Sequence, residues 1–188
     1  MKSSLAIAQI SAAIFAFGLD RLSKAWVLKH LQVVVVRPLW DGIVQLHLTQ
    51  NSGAAFSLGR DNGQLMTGVA TTVTLFLIGW AIWRHKQYPM QLPLEKIGTG
   101  LLLGGALGNL FDRYTQGQVT DFLQFTFFEF PIFNVADALI DVGIGLIFID
   151  LIRSGKNADA QAAAAGPGSE AAPGSEAAPA SPASEADT

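Results

Sequence analysis

Residues 65–83 run without a single charged side chain. A helix of about twenty apolar residues is what a bilayer core requires, and a lone segment there can satisfy its backbone hydrogen bonds only as a helix. Trp80 and Trp83, followed by Arg84, His85 and Lys86, place an aromatic anchor and a basic flank at one end. Three further stretches, about 5–28, 97–111 and 133–152, suit the same role. Only 14% of the 188 residues are charged and half are hydrophobic, where soluble domains average about 25% charged. The expected fold is an α-helical membrane protein with four transmembrane helices.

The first stretch has a second reading. Lys2 followed by an apolar run over residues 5–19 resembles a secretory signal peptide. The helical pattern, however, continues past Asp20 through Trp26 and Leu28, which is long enough to span. Asp20 and Lys24 lie one turn apart and can pair.

Residues 31–64 break the pattern and are expected to form a small surface sheet. Residues 33–36 are a β-branched run, and Val44, Leu46 and Leu48 alternate with Gln45, His47 and Thr49 in the period of a half-buried strand. Pro38 and Asp41-Gly42 supply turn chemistry between them, and Asn51-Ser52-Gly53 bends the chain back. In the third span, Gly98, Gly100, Gly104, Gly105 and Gly108 form a small-residue surface suited to close helix packing.

The chemistry concentrates in residues 104–141. This mostly apolar stretch carries Asp112, Arg113, Asp121, Asp137 and Asp141, with Asn109 and Asn134 beside them. Carboxylates at membrane helix ends are costly unless paired or used. Asn109 and Arg113 share a helix face, as Asn134 and Asp137 do by spacing. There is no cysteine, which excludes disulfides, thiolate metal sites and a cysteine nucleophile. Ser23 and Lys24 are adjacent and so point apart on a helix. The three histidines are scattered, with no His-Glu-x-x-His spacing for zinc. No metal or other cofactor is therefore expected.

Carboxylate chemistry remains. Two close carboxylates share one proton, and the pair can activate water and protonate a leaving nitrogen. Asp137 is one candidate member. Its partner is Asp112 or Asp121: Asp112 adjoins a guanidinium, which suits an ionised, orienting group, whereas Asp121 sits among apolar neighbours that favour its neutral form. A small proton-coupled transporter or channel subunit would also use intramembrane acids. It should show repeats or helices broken at mid-membrane, and the halves of this chain show no obvious repeat.

Five stretches, in order, carry a resemblance. They are Asp20-Arg21-Leu22-Ser23-Lys24 (D-x-x-[ST]-K), Asn51-Ser52-Gly53-Ala54-Ala55-Phe56 (N-x-G-x-A-[FW]) and Gly104-Gly105-Ala106-Leu107-Gly108-Asn109-Leu110-Phe111-Asp112-Arg113, then Val119-Thr120-Asp121-Phe122 and Phe133-Asn134-Val135-Ala136-Asp137. Together they resemble bacterial lipoprotein signal peptidase (signal peptidase II), an inner-membrane aspartyl protease. The resemblance covers about residues 5–155 and implies four spans with an extracytoplasmic β-cradle. It implies cleavage of prolipoproteins before a diacylglyceryl-modified cysteine. It maps the catalytic pair onto Asp121 and Asp137 and gives Asn51, Gly53, Asn109, Asp112, Arg113 and Asn134 substrate-binding or positioning roles. Asp20 and Lys24 support the site. Asp141 is an acid the family pattern does not require.

From residue 157 the composition turns to Ala, Pro, Ser and Glu, with Gly-Ser-Glu-Ala-Ala-Pro occurring twice, and a disordered tail is expected over 157–188. Five acids and no Lys or Arg follow Lys156, so the acidic net charge of −3 belongs largely to this segment, and no nucleic-acid partner is expected. Four spans put both termini on one side. Lys and Arg count evenly on the two sides, but the basic flank at 84–86 and the resemblance favour cytoplasmic termini, with the site facing outward. The expected partners are modified prolipoproteins and membrane lipid, acting on a monomeric enzyme.

Overall fold

A computed structural model describes residues 2–33, 35–53, 62–87 and 93–165. It contains helices α1 (Lys2–His30), α2 (Gly63–Gln87), α3 (Pro93–Gln116) and α4 (Val135–Ala165), and strands β1 (Arg37–Trp40), β2 (Val44–Asn51) and β3 (Val119–Phe125). Residues up to Arg153 form one unit and those from Ser154 a second.

The first unit buries many polar side chains and exposes many large apolar ones. Asp20, Lys24, Asp112, Thr120 and Asn134 are fully buried, while Ile10, Ile14, Leu75, Phe76, Phe148 and Leu151 stand exposed. Contiguous apolar surface on this scale marks contact with something other than water. α1 and α2 each contain a window long and apolar enough to cross a membrane. α4 carries Asp137, Asp141 and Asp150 along its corresponding stretch, and α3 carries Glu95, Lys96, Asn109, Asp112 and Arg113.

The glycines of α3 make it the central helix, and they serve two neighbours rather than one. Gly100 and Gly104 face α1: a Cβ on Gly104 would fall on the Ala13 carbonyl and 2.7 Å from the Ala16 Cβ. Gly98 and Gly105 face α4, where added Cβ atoms would come within 2.6 Å of the Gly143 carbonyl and 2.7 Å of the Ala136 carbonyl. A side chain at Gly108 would collide with the Asp20 carboxylate. Because the obstacles at Gly104 are backbone and a short side chain, Gly104→Leu should cost more than the ~1–3 kcal/mol typical of overpacking. It should lower the unfolding temperature in detergent by at least several degrees, whereas Gly68→Leu, with open space around it, should leave that temperature near the parent value.

The sheet differs from expectation in three ways. It has three strands, ordered β1-β2-β3 and antiparallel throughout; the third comes from the segment joining α3 to α4, outside the 31–64 region. Residues 119–125 lack clean alternation because the first four are all buried, so no half-buried strand pattern marks them. The β-branched run does not form β1. A turn bond from Val35 N–H to the Gln32 carbonyl (3.0 Å) occupies that region, and the strand begins at Arg37. Pro38 lies inside β1 opposite Gln45, which is tolerated because β1 is an edge strand. Asp41-Gly42 is the turn, with Gly42 at φ +73°. The alternation in β2 holds: Leu46 and Leu48 are buried with Val27, Leu31 and Phe122 between the end of α1 and the sheet.

Two boundaries also move. α4 begins at Val135, not Phe133, and Phe133 instead bridges to Leu123. At the other end helix continues through Ala165, so the first part of the stretch expected to be disordered is helical. Its alanines, at 158, 160 and 162–165, are the strongest helix formers. The rest of the expected tail lies outside the described residues, as do Ala54, Ala55 and Phe56.

Candidate active site

The C-terminal ends of α1 and α3, the N-terminal end of α4 and the strands β2 and β3 meet at one polar cluster. The ten residues to which the resemblance gives a site role lie in it; Asp141 does not. Its centre is Asn134, the residue immediately before α4. The Asn134 side-chain oxygen accepts the Asp137 N–H (3.1 Å), and an Asp137 carboxylate oxygen accepts the Asn134 N–H (3.1 Å). This reciprocal pair is a capping box, with Asn at the cap and Asp at the third helical position. Asn134 is thus a cap and not, as spacing suggested, a helical neighbour of Asp137. Its side-chain N–H₂ is left to donate across to Asp121 (2.7 Å) and to the Asn109 oxygen (3.1 Å). One asparagine therefore touches both aspartates.

Each aspartate has a second donor. Asn51 gives an N–H to Asp121 Oδ2 (3.0 Å), and Asn109 gives one to Asp137 Oδ1 (2.7 Å). β2 presents Asn51 beside β3 through the register Asn51↔Val119 and Thr49↔Asp121, reached by a register shift between Leu46 and Thr49. Asn51 also accepts the Gly53 N–H (3.0 Å), and the Gly53 carbonyl accepts from Arg113 Nη2 (2.7 Å). Arg113 lies within electrostatic range of Asp121, Asp137 and Asp112.

Asp121 is 3% exposed. Burial pushes its pKa up to about 6; hydrogen bonds from Asn51 and Asn134 oppose the shift, and the nearby Asp137 charge adds to it. A buried carboxyl beside a second carboxyl is the arrangement that lets two acids hold one proton between them.

Beneath this layer Lys24, fully buried, donates to Asp20 (3.0 Å), Asp112 Oδ2 (2.9 Å) and Asn109 (2.8 Å). Asp20 also accepts the Ala136 N–H (3.2 Å), an otherwise orphaned donor in the first turn of α4. Asp112 differs from expectation in its partner. The guanidinium that pairs with it is Arg21 of α1, not its sequence neighbour Arg113, which points to Gly53. Asp112 also accepts the Thr120 N–H (3.2 Å) and an N–H from Gln116 (3.4 Å). Arg21 and Gln116 were missed from sequence. Arg21 stands at an open position of its motif, and its pairing exists only once α1 packs on α3. Asp141 is exposed. Phe122 belongs to the small core under the sheet. Phe125 stacks among Phe127, Phe128, Phe130 and Phe133, with ring centroids 5.1–5.6 Å away.

Residues 12–153 match the family model described as signal peptidase (SPase) II. The chain belongs to the signal peptidase II family. It is 42% identical over 154 residues to the lipoprotein signal peptidase of Gloeobacter violaceus, covering 82% of this chain and 87% of that one. With the lipoprotein signal peptidase of Nostoc punctiforme it shares 39% over 138 residues, 73% and 85% of the two chains. With that of Streptococcus pyogenes it shares 34% over 142 residues, 76% and 91%. The solved structure of a bacterial membrane enzyme, obtained by the in meso method at 2.3 Å resolution, superposes with a TM-score of 0.69 at 26% identity over 79% of this chain and 90% of that one. As a signal peptidase II relative the protein is a peptidase, and every polar motif of the sequence falls within the matched residues.

Proposed function

We propose that this protein is an aspartic endopeptidase that removes signal peptides from prolipoproteins, cutting immediately before the diacylglyceryl-modified cysteine. Asp121 and Asp137 form its catalytic pair. The observation that carries this reading is the bridging of both carboxylates by Asn134. The ionised member of the pair takes a proton from water as the water oxygen attacks the scissile carbonyl. The protonated member hydrogen-bonds the carbonyl oxygen as it gains charge. The resulting gem-diol collapses, the C–N bond breaks, and the cysteine nitrogen leaves with a proton from the pair. Asn51, Asn109 and Asn134 fix the two acids; Arg113 and Gly53 position the substrate; Asp20, Lys24 and Asp112 brace the site.

In this reading all four helices cross the inner membrane, both termini are cytoplasmic, and the site opens at the outer face. The exposed apolar surfaces of α1, α2 and α4 support the crossing, and the basic group at 84–86 on the far end from the aspartates supports the orientation. The enzyme acts as a monomer among lipids. A site between helix ends can meet a peptide bond while the acyl chains stay in the bilayer, each buried CH₂ contributing ~0.8 kcal/mol. The purified protein should therefore release the signal peptide from a diacylglyceryl-modified prolipoprotein and leave the unmodified precursor largely intact. Equal processing of both would refute the lipid requirement, and no cleavage of either would refute the activity.

The pH dependence follows from Asp121. Its proton leaves at about pH 6, above which Asp121 can no longer act as the protonated member of the pair, so kcat/KM should fall on the alkaline side of that value. Asn51→Leu removes a donor that favours the anion. Asp121 then holds its proton more tightly, and the alkaline limb should move up by about one pH unit, the size of a charge-assisted hydrogen bond. A limb left in place would mean that Asn51 does not set the acid's state.

A further inference from the structure

We propose that Arg21 is a positioning residue for the hydrolysis, holding the Asp112 carboxylate and, through it, the strand that carries Asp121. The proposal rests on the reading of Asp121 and Asp137 as the catalytic pair. Arg21 stands at a position that the D-x-x-[ST]-K motif leaves open, and its placement is built rather than incidental. Its Nη1 donates to Asp112 Oδ1, and its guanidinium carbon lies 4.4 Å from the Phe111 ring centroid. Phe111 is in turn held edge-on by Phe17 at 6.1 Å. A planar guanidinium can stack on a ring and donate sideways at once, which an ammonium cannot.

Charge balance gives the residue its weight. Asp20, Lys24 and Asp112 are each fully buried, and the Lys24 ammonium is shared between both carboxylates. Without Arg21 this cluster carries an excess negative charge in a place water does not reach. Arg21 supplies the balancing charge from the rim, its side chain 24% exposed. The charged groups facing the cluster are Asp20, Arg21 and Lys24 from α1, Asp112 and Arg113 from α3, Asp121 from β3 and Asp137 from α4. Asp112 Oδ2 accepts the Thr120 N–H, the peptide group one residue before Asp121. Losing Arg21 thus does two things. It leaves an uncompensated anion near the catalytic pair, which disfavours ionisation of Asp121, and it frees the carboxylate that holds the β3 backbone.

The test uses the full chain in detergent with a lipid-modified prolipoprotein. In Arg21→Gln, kcat should fall about tenfold, the scale of a sub-ångström misplacement, with KM nearly unchanged. The alkaline limb of kcat/KM should rise by about half a pH unit or more. Arg21→Lys, which keeps the charge, should hold that limb near the parent position while losing part of kcat. Arg21→Gln/Asp112→Asn, which removes the pair together, should fold and return the limb to the parent position even where Arg21→Gln alone does not fold. An Arg21→Gln enzyme with parental kcat and limb overturns the proposal, as does a double variant that is unfolded or still shifted. Asp121→Asn, assayed alongside, reports on the catalytic pair separately. Activity there sinks the pair, whereas an inactive Asp121→Asn with an unaltered Arg21→Gln sinks only the clamp.

Discussion

Asp121→Asn and Asp137→Asn should each lower turnover by about four orders of magnitude or more, the scale seen when one member of a catalytic group acting as a unit is removed. Either change deletes an acid that must alternate between proton acceptor and donor, and Asn does neither. Both variants should remain folded. Asn is nearly isosteric and can still accept from Asn134 at either position, so the cap of α4 and the bridge to β3 are weakened rather than lost. Stability also carries a signature independent of activity. The native pKa of Asp121 is raised from 3.8 to about 6, so the native state binds this proton more tightly than the unfolded chain. That contribution to stability is present below about pH 4 and is lost as pH rises through about 6. Asp121→Asn should lack this dependence when its unfolding temperature is compared with the parent's at pH 4 and pH 7. Asp112→Asn should act through stability and placement, with partial activity. Should Asp121→Asn keep near-normal turnover while a folded Asp112→Asn is dead, the partner of Asp137 is Asp112. The geometry argues against that outcome, since both oxygens of Asp112 are engaged by Arg21, Lys24, Gln116 and the Thr120 N–H.

Lys24→Met should have the largest effect on stability. Lys24 is fully buried and spends its ammonium protons on Asp20, Asp112 and Asn109. Breaking a buried ion pair by removing one partner costs about 3–5 kcal/mol, because the remaining charge is neither solvated nor paired. Here two carboxylates lose a counter-ion at once, and Asp20 also anchors the Ala136 N–H at the start of α4. We expect little folded protein, measured as the monodisperse fraction in detergent and its unfolding temperature. A Lys24→Met protein that melts like the parent would mean that Asp20 and Asp112 are neutral or hydrated, and the account of the bracing layer would fall.

Sequence alone determined the elements whose signal is local. An uncharged run of one membrane thickness, as at 65–83, can only be a helix there; alternation over 44–49 marks a strand whatever it pairs with; Asp41-Gly42 turns because Gly tolerates φ +73°. Asp112, Asp121, Asp137, Asn109 and Asn134 also stood out, because acids and amides in an apolar stretch cost too much to be there without use, whereas Asn51, Gly53, Asp20 and Lys24 drew their roles from the motifs they match. What tertiary structure decided were the partners. β3 carries four consecutive buried residues and becomes a strand only because β2 and Phe133 supply its hydrogen bonds. Asn134 changes from helix residue to cap because Phe133 is drawn into a bridge with Leu123. Asp112 is held by Arg21 across α1 and α3 rather than by its neighbour Arg113, since adjacent helical side chains diverge while glycines at 100 and 104 let two helix backbones close to contact. Spacing reports what a residue can reach along its own element; which group it meets across elements depends on a close approach that no single stretch encodes.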